Sequence, residues 1–600
     1  MNSDRAVAID TEFDLNKVPF LATSCDWRLE TDLYRCKKES DIERLKRIAE
    51  DRSIIKIMFP MSVDWYTLRR VGIECKGDFE DPLIAGTLLD ENFASRKGLK
   101  PMAQRYLKAD IKEAKELAVY KRKYKKIAKE KGIEFDYSMI PRKIIEPYAS
   151  EDAVFTEKLW FLFREPIKKF NSIYQIEKKV GRIIVEMQEI GMMVDRPFCR
   201  NQSEQYDKDI IECGKRIQII LRKGGLKIPE FNSGSPKQVG YALQKLGVPL
   251  PLTEKGNPST ESKVLMDHDH YPLVRETLLD RFLKKQNGTY FKPLYFRYTT
   301  EGNPYAHFFL FGSGARTGRM SAELIQTIPR PDESRTAHAP KLARKAFRPR
   351  EGYVLVAADY KALQMLIFFH FAKATTLIKK CRDGWDPHDA ACSMLFGKVD
   401  KELRKDTKNI QFGIVFGMGK AKLINSLRRS KAKKEVTQFE AERILQRYYS
   451  IVPVKEFTRQ CVSELYKSGV LKLGFDSKLM SFHREYRVPQ EFAYKGPNVL
   501  IQGTEAYVVK HAMIRCDEMI KNKGIDMHML MQVHDELLFE VSEKEPLHHV
   551  LDEIKKAMED NISLSIPLKV DTKVSKENWG SVEEWEKVKH TFNKRSLVAV

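Results

Sequence analysis

The sequence predicts an α/β domain followed by a larger α+β region, and three apolar stretches carry that prediction. Ala6-Val-Ala-Ile-Asp10-Thr-Glu12 ends in two acids, Gly352 to Tyr360 (GYVLVAADY) closes on Asp359, and Met531 to Val541 (MQVHDELLFEV) holds Asp535. Each reads as a β-strand, with helical stretches between them. A buried strand rarely carries a carboxylate without a partner, because an unpaired buried charge is costly.

Taken in order, alternation along the first strand places Asp10 and Glu12 on one face. Ser62 to Arg70 (SVDWYTLRR) offers a further acid, Asp64. Tyr148 and Asp152, in EPYASEDAVF, are four apart on a helix and share a face. Ile176 to Gly191 (IEKKVGRIIVEMQEIG) is the helix that opens the second region. There, two strands presenting Asp359 and Asp535 can jointly hold a pair of divalent cations, the arrangement used for in-line displacement at phosphorus. Between them, RKDTKNIQFGIVFG sets Arg404, Lys408, Phe412 and Phe416 four apart on one drifting helical face. Two cations followed by two rings suit a nucleoside triphosphate, the cations meeting phosphates and a ring stacking under base and sugar. An ordinary amphipathic helix would explain the rings as core, but not cations on the same stripe.

Six hundred residues allow several domains with substantial cores. The formal charge of +22, from 105 Lys and Arg against 83 Asp and Glu, suits a polyanionic partner and salt-sensitive binding. Tyr120 to Lys131 (YKRKYKKIAKEK) is the densest basic run; a solvated helix and a nucleic-acid contact account for it equally well. Nine Cys without a Cys-x-x-Cys pair point to a reduced, intracellular protein with neither zinc site nor disulfide framework. No run of about eighteen apolar residues could span a membrane, and a strand starting at Ala6 leaves no room for a signal peptide. The expected location is therefore the cytoplasm, that of the host cell if the source is viral.

In order and spacing the chain resembles an A-family DNA polymerase of the kind found in bacteria and their phages. The family's first motif matches at Asp359-Tyr360, the second at Arg404 to Gly417, and the third at His534-Asp535-Glu536. Thr317-Gly318-Arg319, Gln326 with Ile328-Pro329, Asp386-Pro387-His388 and Gln502-Gly503-Thr504 match as well, so the resemblance covers nearly the whole chain. Asp10, Glu12, Asp64, Tyr148 and Asp152, in that order, resemble the 3′–5′ proofreading exonuclease of the same polymerases.

That resemblance implies a ribonuclease H-like α/β exonuclease domain over residues 1–165 and a right-hand polymerase domain over 166–600. Within the latter it implies a thumb at about 166–310, a palm at about 311–385 and 500–600, and fingers at about 386–499. It implies two Mg²⁺ per active site, with Mn²⁺ able to substitute. Asp359, Asp535 and the Tyr360 carbonyl would hold one pair; Asp10, Glu12, Asp64 and Asp152 would hold the other, with Tyr148 orienting the attacking water. Lys408 would neutralise the leaving pyrophosphate, Arg404 and His388 would hold its oxygens, and Glu536 and His534 would sit near the metals and primer end. Thr317, Arg319, Gln326, Asn498 and Gln502 would contact primer-template DNA, partly through minor-groove acceptors common to all correct pairs. The implied partners are primer-template DNA, dNTPs and other replication proteins such as a helicase and a single-strand-binding protein, around a monomeric, replicative, phage-type enzyme.

Departures from the family pattern are also visible. The family's sugar-gating Glu is Gln364, and the finger-helix Tyr that partners it is Phe416; their joint loss is coherent, since a Phe would leave a charged Glu unpaired. The family's minor-groove Arg is Tyr494, its Asn before Gln326 is Leu324, and the Asn four residues before Asp64 is Pro60. Phe412 is the type that disfavours dideoxynucleotides in this family. Four other readings follow: a lesion-bypass polymerase, a polymerase for a modified-base genome, a single-subunit RNA polymerase and a non-catalytic DNA-binding scaffold. The retained exonuclease acids argue against the bypass and RNA polymerase readings, and the full set of proposed metal ligands argues against the scaffold.

Overall fold

The computed structural model describes residues 5–90, 98–253, 255–312, 315–329, 342–415, 418–422, 424, 437–475 and 482–593. Two compact units emerge. The first comprises Met1–Ile190, Phe309–Glu323 and Ala357–Lys573; the second comprises Gly191–Phe308, Leu324–Val356 and Val574–Val600. No helix among the described residues is long and apolar enough to cross a membrane.

The amino-terminal part of the first unit is a five-stranded mixed sheet. Its strands are β1 (Ala6–Phe13), β2 (Pro19–Asp26), β3 (Thr31–Arg35), β4 (Ile55–Ile57) and β5 (Phe79–Glu80), in the order β3-β2-β1-β4-β5. β1 pairs antiparallel with β2 and parallel with β4. Helices α1 (Glu39–Ala49), α2 (Met61–Arg69), α3 (Pro82–Leu89), α4 (Leu99–Met102), α5 (Lys112–Glu130), α6 (Arg142–Phe163) and α7 (Asn171–Ile190) surround it.

Alternation along β1 sorts its side chains between two apolar layers. Ile9 joins Trp65, Tyr66, Phe79 and Val185, from α2, β5 and α7. Ala6 and Ala8 join Ala153 and Trp160 of α6, so Asp10 and Glu12, continuing the same parity, face α6. The α/β domain and its acid-bearing strand are therefore as the sequence predicts.

Glu157 of α6 shows the cost of an acid inside such a layer. One carboxylate oxygen is buried without a hydrogen-bond partner. Burial pushes its pKa from 4.5 up to about 7, with Asp26 adding to the rise and Arg164 opposing it. A folded-state value above the unfolded one means stability that is fully present below the unfolded pKa and lost as pH rises through about 7. We expect Glu157→Gln to stabilise the protein at pH 8 by on the order of 1–3 kcal/mol and to be near neutral at pH 4. Denaturant melts at the two pH values check this, and equal shifts at both would contradict it.

The carboxy-terminal part of the first unit is built on a second sheet, in which Met527–Val533, Glu536–Ser542, Tyr353–Tyr360 and Val570–Ser575 lie in that order. Here the structure corrects the sequence reading: Asp535 is not inside a continuous strand. Val533 pairs with Glu536, leaving His534 and Asp535 as a two-residue hairpin turn. His534 takes the left-handed conformation (φ 59°) that such a turn requires. A polar pair between two apolar runs was the available signal, obscured by the absence of Gly.

A buried helix, Gly496–Lys523, runs through this part of the unit. Lys510 of that helix donates to Glu177 of α7 at 2.5 Å, and the Tyr507 hydroxyl donates to the same oxygen at 2.8 Å. Both members of the ion pair are essentially solvent-free, at 1% and 0% exposure.

The second unit is mainly helical. Asp195 caps the long helix Arg196–Lys223, and Ser235, in the polar 232–237 segment, caps Pro236–Lys245; each places Pro at the first turn. Met192–Val194 is flanked by Phe347–Arg348 and Tyr305–Ala306 in a small antiparallel sheet.

Candidate active sites

Asp10 and Glu12 on β1 meet Asp152 on α6, with one carboxylate oxygen of each lying within 4.8 Å of the others. Burial lifts Asp10 to about 7, opposed by the nearby charge of Lys100. Glu12 is held well above the carboxylate range, first by burial and then by the charge of Asp10. Asp64 lies outside this triad, on the α2 side of β1. It accepts from the Thr11 amide at 3.0 Å and the Thr11 hydroxyl at 2.7 Å. Burial and Asp10 still raise its pKa. Asp10 and Asp64 each keep one buried oxygen without a hydrogen-bond partner.

Lys100 on α4 answers this accumulation of negative charge. Its ammonium bonds to Glu151 at 3.0 Å and to Asp152, and lies 4.3 Å from the centroid of the Tyr148 ring. Nothing in the sequence singled it out: a lone Lys becomes legible only when the chain carries it to the acids. Tyr148, one helical turn before Asp152, packs against the same apolar cluster as Tyr120 and Tyr137. Burial, then Glu12 and Asp10, raise its hydroxyl pKa, so it stays a neutral phenol. Clustered carboxylates with orphaned oxygens and a cation already drawn among them fit a hard divalent ion, which takes oxygen ligands.

The second constellation joins the strand that carries Asp359 to the turn that carries Asp535. The Tyr360 amide donates to the Asp535 carbonyl at 3.3 Å, fastening the hairpin turn to the end of the neighbouring strand. The Tyr360 side chain points into the core, donating to the Met558 carbonyl at 2.6 Å and accepting from Asn561 at 2.9 Å. Glu536 begins the strand after the turn and is 5% exposed.

Glu505 joins several of the sequence-singled residues and was itself missed. It lies on one helical face with Asn498 and Gln502, is 3% exposed, accepts from Gln364 at 3.0 Å and pairs with Arg319. The Gln364 amide is thus turned onto a carboxylate of its own chain. Thr317 is held through its carbonyl by the Tyr486 hydroxyl at 3.1 Å. The adjacent Gly318 has φ +86° and no room for a Cβ beside Arg484 and Tyr507. Gln326 lies in the second compact unit, on the 3₁₀ turn Ile325–Thr327.

The helix Lys401–Val415 carries Arg404, Lys408 and Phe412 as expected, whereas Phe416 lies outside the described residues. Arg404 is paired with Asp386 at 3.0 Å and also with Asp389. His388 is buried, shares a 2.7 Å hydrogen bond with Gln411, and has its pKa lowered by that burial. Its ring centroid lies 5.9 Å from that of Phe412. Asp386 caps the helix Pro387–Phe396 that positions His388. Lys408 is exposed and forms no ion pair among the described residues.

Comparison with known proteins gives the family and the fold. A family model for DNA polymerase family A matches residues 196–581, and one for 3′-5′ exonuclease matches residues 1–167. DNA polymerase I of Rhizobium leguminosarum is 26% identical over 560 residues, which cover 90% of this chain and 52% of that protein. The Pseudomonas aeruginosa DNA polymerase I is 28% identical over 568 residues, covering 90% and 58% respectively. The chain therefore spans about half the length of these curated relatives. A solved structure of the POL domain of Pol1 from M. smegmatis, in complex with DNA primer-template and dNTP, shares the fold with a TM-score of 0.75 at 22% identity, covering 96% of each chain. The chain belongs to DNA polymerase family A and carries a 3′–5′ exonuclease domain ahead of its polymerase domain.

Proposed function

We propose that this protein is a template-directed DNA polymerase that adds deoxynucleotides to a primer 3′ end and removes mispaired ends with its own 3′–5′ exonuclease. The observation that carries the reading is the placement of Asp359 at the end of one strand and Asp535 in the hairpin turn beside it, joined by the bond from the Tyr360 amide to the Asp535 carbonyl. Two divalent cations bound by Asp359, Asp535 and the Tyr360 carbonyl, magnesium or manganese in its place, would lower the pKa of the primer hydroxyl and neutralise charge on the triphosphate. Arg404 and His388 hold triphosphate oxygens, Lys408 neutralises the departing pyrophosphate, and Phe412 offers its face to the incoming nucleotide. Thr317, Arg319, Gln326, Asn498, Gln502 and His534 address primer-template DNA. In the amino-terminal domain Asp10, Glu12, Asp64 and Asp152 are the cation ligands, and the neutral Tyr148 phenol holds the attacking water.

We further assign the exonuclease to residues 1–165, the thumb to about 166–310, the palm to about 311–385 and 500–600, and the fingers to about 386–499. The role is replicative and of the phage type, exercised by a monomer in a reducing cytoplasm alongside a helicase and a single-strand-binding protein. Primer extension on a defined template with magnesium is the test. Products whose sequence does not follow the template, or no extension by folded protein, would overturn the reading.

The sugar pocket yields a sharper expectation. Phe412→Tyr should ease incorporation of dideoxynucleotides, its added hydroxyl supplying a hydrogen bond worth about 0.5–1.5 kcal/mol. Gln364→Ala should admit ribonucleotides by removing bulk now fixed by Glu505. Steady-state incorporation of dNTP, ddNTP and rNTP in an exonuclease-deficient background measures both. Unchanged discrimination in both variants would mean that these residues do not form the pocket.

A further inference from the structure

Most of the cations of α5 lie along one side of the helix, with Lys112 and Lys123 outside that side. Lys121, Lys125 and Lys129 follow one another at intervals of four, and Arg122 and Lys126 form the adjacent row. Together they occupy about a third of the helix circumference. The helix's own acids, Glu113, Glu116 and Glu130, fall outside that sector. Of these cations only Lys126 reaches an acid, Glu130 at 3.8 Å, across exposed surface; Arg122, Lys125 and Lys129 make no ion pair among the described residues. Leu117 and Ala128, on the flank next to Lys121, are buried and fix the orientation of the helix, which leaves Arg122, Lys125, Lys126 and Lys129 exposed.

One end of the stripe leads to the acid cluster. Lys121 bonds to the Tyr137 hydroxyl, and its ammonium lies 4.6 Å from that ring's centroid. Lys125 stands 5.8 Å from the ring of Phe135, which packs edge-on against Tyr137 at 5.5 Å. Tyr137 packs in one cluster with Tyr148, a helical turn from Asp152. The charge of Lys121 is felt at Glu12, whose carboxyl it draws downward. Cations that track a phosphate backbone, interleaved with rings on which unstacked bases can lie, are the two components of single-strand binding. A duplex, with its bases stacked inside, could use only the cations.

We infer that the outward face of α5 is the track along which a single-stranded DNA 3′ end is led to Asp10, Glu12 and Asp152. The inference rests on the exonuclease reading above.

The test replaces four exposed cations together, Arg122→Gln, Lys125→Gln, Lys126→Gln and Lys129→Gln, and leaves Lys121 in place. A milder Lys125→Gln/Lys129→Gln pair guards against misfolding, and circular-dichroism melts verify both. Affinity for an oligothymidylate is measured against monovalent salt in chelator, where nothing is degraded. The log–log slope should shrink by about 0.7 for each phosphate that is no longer neutralised. With magnesium, KM for single-stranded 3′ ends should rise about tenfold while kcat stays within about twofold. Unchanged slope and KM would overturn the inference, as would an equal loss of affinity for blunt duplex. If the unmodified protein degrades nothing, the exonuclease reading fails. The binding arm still decides separately whether α5 holds a single strand, and a track leading to an inert site would be withdrawn.

Discussion

Asp359→Ala or Asp535→Ala is expected to lower primer extension by about a thousandfold or more while leaving 3′–5′ degradation within about twofold. Both side chains stand where the hairpin turn meets the neighbouring strand, and the bond that fastens the turn there is between backbone atoms, the Tyr360 amide and the Asp535 carbonyl. Truncating either side chain therefore removes a carboxylate without removing the join. The Tm of each variant, measured alongside, separates a chemical defect from a folding one. Extension and degradation assayed on one preparation provide the measurement. A folded single variant that loses both activities would sink the two-site reading.

The reverse outcome is expected of Asp10→Ala combined with Glu12→Ala: degradation falls by about a thousandfold or more and extension is retained. This pair has an independent readout. Asp10, Glu12 and Asp152 converge within 4.8 Å, and a cation bound there stabilises the folded state by mass action. Manganese should raise the Tm of an Asp359→Ala protein, whose second site is crippled, and should raise it less once Asp10 and Glu12 are also gone. An identical manganese shift in the two proteins would place the bound cation elsewhere.

Much of this arrangement was legible in the sequence because it follows local rules. Alternation put Asp10 and Glu12 on one face, and helical spacing put Tyr148 beside Asp152 and Arg404 in line with Phe412. What stayed hidden depends on segments far apart in the chain. Lys100 and Glu505 bear no local mark of function; each matters through distant partners, Asp152 for one, Gln364 and Arg319 for the other. Arg404, read as a phosphate-binding cation, is held by Asp386 and Asp389, pairings that no count along its own helix reveals. The hairpin at His534 and Asp535 was missed for a local reason, since a turn built without Gly resembles an uninterrupted strand.

The buried pair Glu177 and Lys510 bears on how freely the two enzymatic halves could be exchanged between relatives. A graft made at the edge of the exonuclease match, residue 167, would leave α7 behind and strip Val185 from the layer that backs β1. Moving the junction past α7 would carry Glu177 away and strand a solvent-free Lys510, a defect of about 3–5 kcal/mol. A transplant that keeps its stability must therefore import the counterpart of Lys510 together with the foreign α7. In this chain the residues of the exonuclease match and those of the polymerase match are tied together through α7, by Val185 on one side and Glu177 on the other.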